Sequence, residues 1–255
     1  REHHYTTQSA CEFLKNVSRI VHPASRVPLS SVLAGNNYLY GGSRLSPLHV
    51  AALINHSFIS GAFRIIGGSD LIASTLAEGI KMQGGTILTR QEVSSIEHFR
   101  QKFSLTTTTG DIFLSTMVIS DVHPAATLSM MPPEMVRPAY QKRIASLENT
   151  ASSFILYLSV KPGSFPYLNS NYYYHATPDP WTEAGMKGSA WPGMFLLSTA
   201  CHQPGQKFAE TVTILTYMRY EEVASWESTI TGKRGESYLD FRNEKAEKLL
   251  RLVSK

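Results

Sequence analysis

Apolar positions along this chain recur first at helical spacing, then at the two-residue spacing of strands, then at both in turn. Over residues 9–21, Leu14, Val17 and Val21 fall on one stripe with Cys11 and Ile20 beside it, which predicts a helix closed by His22-Pro23. Pro28, suited to a first helical turn, opens a second helix to Ala34, stopped by Gly35-Asn36. A turn follows at Asn37-Tyr38-Leu39-Tyr40-Gly41-Gly42, and Ser46-Pro47 opens a third helix through about Phe58.

From residue 63 the texture changes. Phe63-Arg64-Ile65-Ile66 reads as a short strand, Gly67-Gly68 as a turn, and Ser69 as a helix N-cap with Asp70 in the favourable first turn. Ile72, Leu76 and Ile80 repeat at i+4 beside Ala73 and Ala77, until Gly84-Gly85 ends the helix. Four strands are predicted next, over 86–89, 92–99, 102–108 and 112–120; the last contains Met117-Val118-Ile119, an apolar run of the buried-strand kind. Helices are expected over 124–130 and 134–146, then strands over 154–158, 172–174, 194–199 and 211–217 with prolines in the intervening loops, a pattern of antiparallel sheet. The final segment, 235–255, presents Tyr238, Phe241, Leu249 and Leu252 on one side of a charged helix. The predicted class is therefore α+β, without internal repeats or low-complexity tracts.

Composition narrows the class of protein. At 255 residues, 42% hydrophobic and 17% charged, the chain is globular, which excludes a disordered tail and a coiled coil. The two longest uncharged runs, 45–63 and 188–206, are broken by Pro47, His49, Asn55 and His56 in one and by Pro192, His202 and Pro204 in the other, so neither reads as a spanning helix. Cys11 and Cys201 are far apart, which fits a reducing, cytoplasmic setting rather than a disulfide framework. A formal net charge of +4, with basic residues no more concentrated than the pairs Lys142-Arg143 and Lys233-Arg234, gives no footprint for nucleic acid. The chain starts at Arg1 and stops at Lys255 just past helical sequence, so the expectation is a piece of a longer protein.

Candidate chemistry is sparse. Gly67-Gly68-Ser69 opens a helix whose N–H groups and dipole could meet an anion, although a tight strand-to-helix turn is the commoner duty of such glycines, and no G-x-G-x-x-G or P-loop occurs. Nine histidines are scattered without metal-ligand spacing, and no metal site is expected. No G-x-S-x-G exists, and Cys201-His202, as neighbours, do not face each other in regular backbone. Tyr167, Tyr172, Tyr173, Tyr174, Trp181 and Trp191 could line an apolar pocket, or simply fill a sheet core.

Taken together, Gly67-Gly68-Ser69-x-x-Ile72-Ala73, Ile80 with Gly84-Gly85-x-Ile87, Val93-x-x-Ile96, Gly110-Asp111 and Val118-Ile119-Ser120 resemble the flavin-containing amine oxidase and phytoene desaturase superfamily. Ser46-Pro47-x-His49 through Gly61 to Ser69 is most similar to its phytoene dehydrogenase, carotenoid isomerase and retinol saturase branch; the resemblance is carried by residues 45–125. It implies a helical substrate-domain segment at 1–62, the middle piece of an FAD-binding domain at 63–125, and substrate-domain sheet and helices at 126–255. It also implies Val93 beside the flavin's adenine, Gly67, Gly68 and Ser69 at the glycine turn, and Ser120 and Asp121 where a strand returns toward the dinucleotide.

The family's N-terminal G-x-G-x-x-G turn and C-terminal glycine-rich segment are missing from these residues. FAD is thus expected in the full-length protein and weakly or not at all here. The implied activity is oxidation or reduction of carbon-carbon bonds in a lipophilic polyene, with peripheral membrane association a family expectation and no oligomeric state readable. Two alternatives stand beside it: a non-catalytic module binding a lipid or partner chain, and an amine oxidase of the wider superfamily.

Overall fold

Ser9 starts the first helix as a cap, its hydroxyl accepting the Glu12 N–H at 3.1 Å. The structure, a computed structural model, describes residues 8–34, 48–61, 63, 65–147, 152–177, 179 and 191–254. The Gly35-Asn36 stop, the turn after it, the Ser46-Pro47 opening, Arg64 and Trp181 lie outside those residues, as does the His49 side chain. Helix α1 (Ala10–Val17) runs on as a 3-10 turn over Ser18–Ile20, and α2 (Arg26–Ala34) and α3 (Leu48–Ile59) follow. Ala10, Cys11, Leu14 and Ala34 bury together with Phe13 against them, and Asn55 donates to the Leu33 carbonyl at 2.8 Å. Contacts divide the chain into two compact units: residues 70–150, and residues 1–69 with 151–255.

In the 70–150 unit, helix α4 (Asp70–Met82) starts directly after Ser69. Its end is a Schellman motif: Gly84, at φ +79°, donates to the Lys81 carbonyl at 2.9 Å and Gly85 to the Ile80 carbonyl at 2.8 Å. A three-stranded antiparallel meander follows, β1 (Val93–Phe99), β2 (Lys102–Thr107) and β3 (Ile112–Ser115), in sequential order. Helices α5 (Pro124–Ser129) and α6 (Pro138–Ala145) complete the unit. His123 caps α5 through Nδ1, which accepts the Ala125 N–H at 3.2 Å; His22-Pro23 repeats the device at 3.3 Å to Ala24. Two of the scattered histidines are therefore local caps.

Three strand expectations fail here. Residues 63–66, 86–89 and 116–120 form no strand among the described residues, and β3 ends at Ser115. Their sequences are β-prone, but a strand exists only where a neighbour takes its backbone groups, and none of the three pairs with a described strand. The helix expected over 134–146 is likewise shorter, a 3-10 turn at Pro133–Met135 preceding α6.

The other unit holds an antiparallel sheet of β4 (Ser152–Ser159), β5 (Tyr172–His175), β6 (Met194–Ala200) and β7 (Thr211–Met218), ordered β4-β7-β6-β5. Alternation sorts the strands into two faces: Phe195, Leu197, Val212 and Ile214 go inward, and Trp191 and Leu249 join them in the core. Leu249 comes from the last helix, α7 (Glu236–Val253), which adds Phe241 and Leu252 to the same cluster. Buried hydroxyls are satisfied: Thr216 donates to the Met194 carbonyl at 2.6 Å, and Thr199 bonds both the N–H and the carbonyl of Leu168.

Candidate functional site

The glycine turn sits at the entrance to α4. Gly67 and Gly68 have φ of +91° and +107°, values that side chains rarely adopt, and the Gly68 N–H closes the turn on the Ile65 carbonyl at 3.2 Å. Gly67, Gly68 and Ser69 are exposed, and the first-turn N–H groups of α4 follow them at a helix thirteen residues long. That is the geometry of a turn able to present backbone donors to an anion.

Ile65 and Ile66, just before the turn, line a cavity of about 400 Å³ with Tyr167, Asn169, Cys201 and His202. The loop on its far side is held by Glu210, whose carboxylate accepts from the Gln206 amide at 3.1 Å and pairs with the His202 ring. Gln206 in turn accepts the Gln203 N–H at 3.0 Å. These hydrogen bonds, first the one from Gln206 and then those from His202, hold the Glu210 carboxyl below its ordinary range despite some desolvation. Nothing in the spacing of these residues marked them in the sequence; only the β6–β7 connection brings them together.

Val93, Ser120 and Asp121 lie in the 70–150 unit. Val93 is half-buried at the head of β1, an edge strand of the meander, beside a register shift between Val93 and Ser95. Farther along that edge the Ile96 N–H is taken by the Met130 carbonyl at 2.8 Å. Ser120 and Asp121 are exposed, with the Ser120 hydroxyl 2.8 Å from that of Thr127 within α5. Gly67, Gly68 and Ser69 belong to the other unit, so the six residues fall into two groups.

What the sequence did not show is how little of the 70–150 unit is covered. Ile96 and Ile144 are the buried apolar side chains there among the described residues, and α4 buries none. Leu76 is 64% exposed, Leu114 66% and Ile119 88%. The stripe that predicts α4 is real, but Ile72, Leu76 and Ile80 on it stay 51%, 64% and 46% exposed.

Among the described residues, the aromatic side chains do not gather into one pocket. Trp191 is core, edge-on to Phe154 at 5.8 Å with its indole N–H on the Tyr217 carbonyl at 2.8 Å. Tyr174 stacks on Phe195 at 4.7 Å, and burial pushes the half-buried Tyr173 hydroxyl up against a lowering bond with Asn171. Tyr167 alone of the described members lines the cavity beside the glycine turn. No described helix is long and apolar enough to cross a membrane, and no cluster of three metal-binding side chains occurs among the described residues.

The model of the flavin containing amine oxidoreductase family matches residues 9–200. Among solved structures, a protein from Pyrococcus furiosus is similar over 94% of this chain and 54% of its own, with a TM-score of 0.56 at 19% identity. A variant of putrescine oxidase is similar over 89% of this chain and 48% of its own, with a TM-score of 0.48 at 11% identity. The chain thus spans about half the length of these solved proteins. No curated protein matches it. At such identity the archaeal likeness concerns the fold, and the mixed helices and antiparallel sheets agree with it.

Proposed function

Since the chain belongs to the flavin containing amine oxidoreductase family, we propose that it is the central part of an FAD-dependent oxidoreductase. The family match over residues 9–200 carries this reading. When bound, the flavin supplies hydride transfer; the polypeptide binds it, orients the substrate against it and excludes water. In this proposal the edge of β1 at Val93 meets the adenine through backbone groups, Gly67 and Ser69 offer donors at the start of α4 with Gly68 shaping the turn, and Ser120 and Asp121 border the dinucleotide. Positive φ at both glycines and the open head of an edge strand suit those roles.

The bare apolar stripe of α4 supports a cofactor domain finished by further polypeptide. Leu76, Leu114 and Ile119 are the kind of surface that monomers cover. The proposed division keeps residues 63–125 on the cofactor side, with 1–62 and 126–255 on the substrate side.

For substrate, the stretch from Ser46 to Ser69 favours a lipophilic polyene, oxidised or reduced at a carbon-carbon bond. The family's own description favours a second reading, oxidation of an amine. The test compares this chain with a longer form carrying a G-x-G-x-x-G strand-turn-helix upstream. The longer form should purify with the yellow flavin spectrum and the 255-residue chain without it. Stoichiometric flavin on the short chain would sink the idea that the cofactor domain is completed elsewhere. Product analysis of the flavin-loaded protein, offered a polyene or a primary amine, separates the two substrate readings.

A further inference from the structure

A second cavity, of about 390 Å³, opens where the start of β4 and the end of β7 meet the first turns of α7. Phe154, Met218, Val223 and Phe241, all buried or half-buried, give its lining an apolar part. Its lining also includes two arginines, Arg234 and the exposed Arg242. One turn separates Tyr238 from Arg242 on α7, so helical spacing puts the ring and the charge on the same face.

Arg234 is fixed before any ligand arrives. Its guanidinium lies 5.1 Å from the Tyr238 ring centroid and donates to the Trp226 carbonyl at 3.3 Å. Trp226 is itself held, edge-on to Tyr238 at 5.4 Å and with its indole N–H on Ser237 at 3.2 Å. Arg242 makes no hydrogen bond or ion pair with any described residue. The cavity's acid, Glu227, accepts the Tyr220 hydroxyl, so the lining keeps an excess of one positive charge.

We propose that this cavity binds an amphipathic carboxylate, its apolar body against Phe154, Met218 and Phe241 and its anionic head between Arg234 and Arg242. Cavities that hold small ligands span roughly 300–1,000 Å³ and are mostly apolar with a few placed polar groups, which this one matches. Guanidinium forks hold a carboxylate by charge-assisted hydrogen bonds, and a monoanion balances the lining's net charge. The site lies within one compact unit and uses no residue of the proposed flavin site, so its fate is separable from that of the flavin reading.

The test is titration with octanoate, followed by the fluorescence of Trp226, with octanol and octylamine as matched controls. Octanoate should bind saturably, at least about tenfold tighter than octanol, and octylamine should not bind. Arg242→Gln, a change on the exposed face of α7, should weaken octanoate about tenfold and leave octanol unchanged. Phe154→Ala should weaken both ligands together. Equal binding of octanoate and octanol, indifference of octanoate to Arg242→Gln, or no saturable binding in the millimolar range would each overturn the proposal. Because Trp226 reports other events as well, chemical-shift changes at the Arg242 and Tyr238 amides serve as the second readout, and their absence counts against the site.

Discussion

Lys245 holds its ammonium 4.0 Å from the centre of the Trp191 ring while donating to Glu222 at 2.7 Å, a charge placed inside the core beneath α7. Lys245 is 8% exposed, and the second oxygen of Glu222 is buried without a partner among the described residues. Removing one member of such a pair strands the other. Lys245→Ala should therefore cost about 3–5 kcal/mol in denaturant unfolding, whereas Lys245→Met with Glu222→Gln should recover most of the loss. A double variant as unstable as the single one would mean that the stem packing, not the charge, is what matters.

The two glycines that end α4 should fail for different reasons. A Cβ on Gly84 meets nothing within 4 Å, so Gly84→Ala carries only the strain of φ +79°, about 1–2 kcal/mol. On Gly85 the Cβ would stand 2.6 Å from Ile80 Cγ2 and 3.0 Å from its carbonyl, contacts that force the Schellman turn apart. Thermal melts should rank Gly85→Ala below Gly84→Ala, and the reverse order would contradict the motif's geometry.

Helix α4, its glycine stop, the β1–β3 meander and the four-stranded sheet were all legible because their signals are local: i+4 repeats, paired glycines and two-residue alternation. The segments 63–66, 86–89 and 116–120 misread for a complementary reason. Strand propensity describes fitness for a pleated surface, and whether Met117 or Ile119 joins a sheet depends on a neighbour that local sequence does not contain. Lys245 was hidden by its charge, which on a helix reads as a solvated face. Of the cavity residues, Asn169 is far along the chain from Cys201-His202, and only the folded loops bring them together beside Ile65 and Ile66.

If the bare face of α4 is a docking face, it should tolerate charge in this chain and not in the longer protein. Ile72→Lys and Leu76→Glu change side chains 51% and 64% exposed, so each should shift unfolding by no more than about 0.5 kcal/mol here. In the longer, flavin-loaded form the same substitutions should lower the flavin-to-protein ratio. A loss above about 2 kcal/mol in the short chain would show that the stripe is already covered within it.

Glu210 sets an acid limit on the loop over 201–206. Its carboxyl is held below the ordinary value of 4.5, chiefly by the Gln206 amide and then by His202. A depressed folded pKa means that the unfolded chain takes up the proton first as pH falls. The stabilisation is complete above about 4.5 and is lost on the way down through the folded value. Protection of the Gln203 amide, taken as its exchange relative to the intrinsic rate at each pH, should accordingly fall below that pH, while the core of β7 stays protected. Glu210→Gln should raise exchange in the loop at neutral pH and flatten its dependence on acid. An unchanged acid response in Glu210→Gln would assign the effect to another group, because Glu210 is the carboxylate the Gln206 amide reaches.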